Sequence, residues 1–123
     1  VVALLLSSII FGMMHIGNPE VSKMGGIIML FYIGSGMLLA IMTIMDDGLE
    51  LALGFHAANN LFGAIIITNS SALFQTDALF LFKGQTSNVE LIIQVFIIFP
   101  ILLYIFAKKY NWTNWKIKLT KSS

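Results

Sequence analysis

Long apolar runs alternate with short polar breaks along the chain, and the breaks divide it into four predicted helical segments. The first run, Val1 to Ile16, stops at Gly17-Asn18-Pro19, where proline restricts the residue before it and glycine favours a helix end. Sixteen residues fall short of the roughly 20 that cross a bilayer, so this helix is expected either to lack its start or to end within the protein interior. The second run, Met24 to Met45, is long enough to cross. Its Gly34, Gly36 and Ala40 form a small-residue surface, and Gly36-x-x-x-Ala40 suits close helix packing. Asp46-Asp47-Gly48 reads as a turn, with Asp47 and Glu50 spaced for a capping-box-like start to the third run, Leu49 to Thr68. Asn69 to Val89 is a long mixed connection. Within it Leu79-Phe80-Leu81-Phe82 is expected to dip into the membrane interface, and Asn69-Ser70-Ser71 matches a glycosylation pattern too short to carry weight without a known compartment. The last run, Glu90 to Ala107, contains Pro100, which membrane helices tolerate as a kink. Lys108-Lys109-Tyr110, Trp112 and Trp115 follow it as a basic and aromatic interfacial anchor.

Composition turns this pattern into a membrane reading. Of 123 residues, 58% are hydrophobic and 11% charged, against roughly 25% charged in a soluble domain. The predicted fold class is all-α, a multi-span transmembrane helical bundle of about four spans over residues 1–107, followed by a basic aromatic tail at 108–123. There is no cysteine, which excludes disulfides and thiolate metal sites. Lys108, Lys109, Lys116, Lys118 and Lys121 crowd the C-terminal end, while Lys23 and Lys83 are the only other basic side chains apart from histidine. By the positive-inside rule that tail is cytoplasmic, which makes the expected location a multi-pass position in a cell membrane, by composition a bacterial plasma membrane. Alternation then puts the Asp46-Gly48 turn inside and the connections at Gly17-Lys23 and Asn69-Val89 outside. Nucleic acid is not an expected partner, because the lysines follow a span directly with no folded basic domain. The chain opens on Val1 with neither a basic n-region nor a cleavage site, so it reads as the C-terminal piece of a longer protein and not as one bearing a signal peptide.

The candidate chemistry lies in two of these helices. His56 and Asn60 stand four apart in Gly54-Phe55-His56-Ala57-Ala58-Asn59-Asn60, so a helix carries them on one face, and Ala52 and Gly63 extend that face with small residues. Asn59 points about 100° away and reads as a contact with a neighbouring helix. His15 shares a face of the first helix with Ser8 and Gly12, with Phe11 one turn before it. Either histidine alone is more often a satisfied structural group. Two in a chain so poor in ionisable residues, both in apolar helices, favour a site. On the residues alone, three functions stay open: an enzyme, a transport or ion-binding protein lined by His15, His56 and Asn60, and a scaffold or immunity protein whose polar stripe only holds helices together.

Phe11-Gly12-Met13-Met14-His15 resembles the F-x-x-x-H motif, and His56-Ala57-Ala58-Asn59-Asn60 the H-x-x-x-N motif, of the CPBP family: the CAAX-type intramembrane proteases, bacteriocin-processing proteins and abortive-infection proteins. The resemblance runs from Ser7 to Gly63 and includes the order of the motifs and the small-residue helix between them. It implies an intramembrane endopeptidase acting on a peptide or a prenylated, lipidated protein, with His15, His56 and Asn60 as catalytic residues. The family's Glu-Glu pair with a distant arginine belongs on a preceding helix, and this chain has neither Glu-Glu nor arginine. In the picture the resemblance implies, that glutamate activates a water, His15 helps to hold it, and His56 with Asn60 stabilises the oxyanion. The rival picture is a metalloprotease in which His15, His56 and the glutamate bind zinc. Asn60 suits the first better, since a carboxamide is a poor zinc ligand and a good oxyanion donor. One tension follows from the topology: His15 belongs near the outer end of its helix and His56 about 11 Å in from the inner turn. They meet only if the first helix ends inside the protein or the third one tilts.

Overall fold

The computed structural model describes residues 1–69, 79–82 and 87–121. The fold is helical as expected, apart from one pair of three-residue strands. Helix α1, Val2–Met13, is shorter than its apolar run. Beyond it the chain continues in overlapping turns, with the His15 amide donating to the Gly12 carbonyl and the Asn18 amide to the His15 carbonyl. Asn18 is extended, as a residue before proline should be, and Pro19 opens a separate helix α2, Pro19–Met24. The stretch expected to be a simple connection is thus a helix start. Gly25 ends α2 with a φ of 73°, a left-handed conformation that glycine adopts without strain. Helix α3, Ile27–Met45, follows.

Helices α1 and α3 touch backbone to backbone. A Cβ on Gly36 would meet the Ser8 carbonyl oxygen at 2.9 Å and its Cα at 3.0 Å, and one on Gly12 would run into Ile33. The Gly36 half of the small-residue pair therefore does the close packing expected of it. Ser8 is buried in this seam, where its hydroxyl donates to the Leu4 carbonyl at 2.7 Å.

The expected capping box of the third helix does not form. Helix α4, Glu50–Ile65, starts after Leu49 without a side-chain cap. Asp47 adopts a φ of 56° and turns its carboxylate to Lys118. Helix α4 also stops short of Thr68, because β-branched Ile67 and Thr68 favour strand. Strand β1, Ile67–Asn69, pairs in parallel with β2, Phe80–Phe82, with Ile67 opposite Phe80. Phe80 to Phe82, expected to dip into the interface, form the paired strand β2. Ser70 and Ser71 of the glycosylation pattern lie outside the described residues, as do 72–78 and 83–86.

A capping box does open the final helical segment. Ser87 Oγ accepts from the Glu90 amide and Glu90 accepts from the Ser87 amide, so that α5, Asn88–Ile93, starts two residues before the apolar run predicts. A π-helical turn, Gln94–Ile98, leads into α6, Phe99–Lys109. Pro100 has no N–H to give and would press on the carbonyl four residues back. The backbone widens just before it, with the Phe99 amide reaching the Gln94 carbonyl five residues away.

Among the described residues two helical segments are long and apolar enough to cross a membrane: α3, with 19 residues, and Asn88–Lys109, with 22. The expected count of about four spans is not confirmed by helix length. With 16 residues, α4 reaches about 24 Å at 1.5 Å per residue, against a hydrocarbon core of about 30 Å.

The core gathers at the C-terminal half of α3, where Leu38, Met42 and Met45 pack with Ala52, Phe99 and Trp112. Trp112 is therefore a core residue, not an interfacial anchor, and its indole N–H donates to Asp46 Oδ1 at 3.1 Å. The tail folds back as α7, Trp115–Lys121, and Lys118 Nζ donates to the Met45 carbonyl at 3.0 Å as well as to Asp47. The end of α3 leaves carbonyls without intrahelical donors, and the tail supplies a donor to that of Met45.

Candidate active site

The three residues singled out in the sequence line one cavity of about 290 Å³, between the ends of α1 and α4, the N-terminal half of α3 and the π turn. His15 reaches it from the turn beyond α1, His56 and Asn60 from one face of α4. Phe11 joins the two histidines. Its ring centroid is 4.8 Å from that of His15 and 5.5 Å from that of His56, the latter edge-on. The tension between the two depths is resolved by α1 ending early. Of the other residues on the His56 face, Ala52 is packed in the core, while Gly63 meets open space.

Hydrogen bonding fixes the polarity of both rings. His15 Nδ1 lies 2.8 Å from the Phe11 carbonyl oxygen. A carbonyl only accepts, so Nδ1 carries the hydrogen and neutral His15 keeps its lone pair on Nε2. That nitrogen can accept a hydrogen bond from water. Asn60 Nδ2 lies 3.2 Å from His56 Nε2. An amide nitrogen only donates, so Nε2 accepts and the donor of the neutral His56 ring is Nδ1–H. The second Asn60 N–H is left over from this bond. The site thus combines an acceptor at His15 with donors at His56 and Asn60, the set needed to hold a water and to meet a developing oxyanion.

Several lining residues give no signal in the sequence. The Tyr32 ring stacks on His15 with centroids 4.4 Å apart and planes 22° from parallel. Its hydroxyl donates to Glu20 and accepts from Asn18 Nδ2 at 3.2 Å. Gln94, at the start of the π turn, and Asn59 add two more carboxamides to the cavity wall. Asn59 thus faces the cavity where a helix contact was expected. The carboxamide of Gln94, in the middle of a membrane-length segment, was the one readable clue.

A second cleft, of about 450 Å³ and almost wholly apolar, runs along α1, α3 and the start of α4. Phe11, Leu39 and His56 belong to both. His56 therefore stands where a polar cavity meets an apolar one.

The donors present do not by themselves make a zinc site. Among the described residues no three His, Cys, Asp or Glu side chains converge so as to hold a metal ion. One nitrogen of each histidine is already engaged, by Phe11 and by Asn60.

The family model for type II CAAX prenyl endopeptidase Rce1-like proteins matches residues 1–62, a stretch that contains His15, His56 and Asn60. A protein of Bacillus subtilis (strain 168), the uncharacterized protein YyaK, is 32% identical over 65 residues, 53% of this chain. The chain spans 22% of that protein's length. No solved structure matches. With half of the sequence inside the family model, and two apolar segments of membrane-spanning length, the chain belongs to the Rce1-like family of membrane CAAX-type endopeptidases.

Proposed function

We propose that this chain forms the C-terminal part of an intramembrane endopeptidase that hydrolyses a peptide bond close to a lipid-modified cysteine. The observation that carries the reading is the position of His56. It shares one cavity with His15 and Asn60 and also lines the apolar cleft. A substrate with a peptide part and a prenyl or other lipid chain matches such a pair of cavities: the chain lies in the cleft, and the scissile carbonyl comes to His56. Peptide hydrolysis there needs a base, a held water and a donor for the tetrahedral oxyanion. In this proposal a glutamate from outside the chain described is the base, and His15 Nε2 accepts from the water as it attacks. The Asn60 amide and His56 then take the developing negative charge. The lysine-rich tail supports a cytoplasmic C-terminus in a bacterial plasma membrane.

The test uses the full-length protein in detergent with a farnesylated CAAX-type peptide. His15→Ala and His56→Ala each abolish cleavage while membrane insertion and the thermal unfolding midpoint stay close to those of the parent protein. Cleavage that survives either substitution refutes the proposal.

A further inference from the structure

His15 lies beyond the last residue of α1, so helix geometry does not hold its ring. The torsion that turns an imidazole about its Cβ–Cγ bond is broad, and a half-turn exchanges the places of the ring's nitrogens and carbons. Two contacts restrict it. One is the Nδ1–H bond to the Phe11 carbonyl. The other is Tyr32, whose ring covers one face of the imidazole almost in parallel, while Phe11 leans on it at 43°.

Tyr32 is itself fixed at its far end. Its hydroxyl donates to Glu20 and accepts from Asn18, so both of its hydrogen-bonding directions are used. These partners flank Pro19, and proline has the most restricted backbone of any residue. A continuous chain of contacts therefore runs from the start of α2, through the Tyr32 hydroxyl and ring, to the imidazole. A phenol placed only to fill space would find a partner for its hydroxyl but would not need the near-parallel stack on His15.

We infer that Tyr32 is a positioning residue for His15, anchored by Glu20 and Asn18, which keeps the His15 Nε2 lone pair turned into the cavity. The inference rests on the reading of His15 as an active-site residue for its catalytic consequence, but not for its structural one.

The experiment has an arm for each. The full-length protein is prepared with ring-¹⁵N histidine, and the His15 signals are assigned by their loss in His15→Gln. In the parent they show a single tautomer, protonated at Nδ1. Tyr32→Leu removes both stack and tether, and shifts the His15 signals towards a tautomer mixture while those of His56 stay in place. Tyr32→Phe keeps the stack and loses the tether, and gives a smaller shift of the same sign. With the farnesylated peptide, Tyr32→Leu lowers kcat about tenfold to a hundredfold with KM unchanged, and Tyr32→Phe recovers most of the loss. His15 signals and kcat that do not move in Tyr32→Leu overturn the inference. Should Tyr32→Leu not fold, Tyr32→Phe decides, and unmoved His15 signals there overturn it too. If the parent cleaves nothing, the peptidase reading fails, and the nitrogen signals alone decide the role of Tyr32.

Discussion

The two halves of α3 are built from the same apolar alphabet and do opposite work. Towards the C-terminus, Leu38, Met42 and Met45 are buried, and the polar groups that come near are tied off: the Trp112 indole by Asp46, and Lys118 by Met45 and Asp47. Towards the N-terminus, Tyr32 and Ser35 border a cavity in which Asn59, Asn60, Gln94 and both histidines converge. One end is closed by satisfied hydrogen bonds. The other keeps acceptors and donors along the wall of a cavity. A site of this kind needs a rigid neighbour, because groups held ready for a reaction cannot also be those that hold the protein together.

If this division is real, stability and activity separate by end. Trp112→Ala should have the largest effect on folding, about 3–5 kcal/mol from cavity formation and the loss of its bond to Asp46. Thermal unfolding in detergent measures it, and cleavage per folded molecule should stay near that of the parent. Asn60→Leu should do the reverse. Loss of one oxyanion donor costs about a hundredfold in kcat, with an unfolding midpoint within a degree or two of the parent. Gly36→Val probes the seam between the two ends, since a side chain there meets the Ser8 backbone; a cost of about 1–3 kcal/mol is expected from overpacking, read by the same unfolding. Smallest is Lys118→Ala. The Asp47 carboxylate is largely exposed, so the change should stay below about 1 kcal/mol. A Trp112→Ala protein that folds normally but cannot cleave would break the comparison.

The same contrast marks what the sequence could tell. His15, His56 and Asn60 were legible because a polar side chain in an apolar run stands out, and all three line the cavity. Tyr32 was not legible: in a helix apolar on every side, nothing in the pattern says which face is buried and which borders a cavity. Helix ends fared worst. Asp47 and Glu50 had the right spacing for a cap, but Lys118, 71 residues away in sequence, captured Asp47. Ser87, inside a stretch that reads as connection, formed the real box with Glu90 at the start of the last run. The number of spans is hard to read for a related reason, since apolar composition does not distinguish a helix that crosses the bilayer from one that stops inside the protein.

The π turn at Gln94–Ile98 has a consequence for how this cavity could have arisen. A π turn amounts to one additional residue accommodated in an α-helix without breaking it. Removing one residue from the turn would restore an ordinary helix and rotate everything on its N-terminal side by about 100° relative to α6, carrying the Gln94 carboxamide away from the cavity wall. A single-codon insertion or deletion is therefore enough to add or withdraw a polar group on this wall while α6 with Phe99 keeps its place, although buried Leu91 turns with the segment.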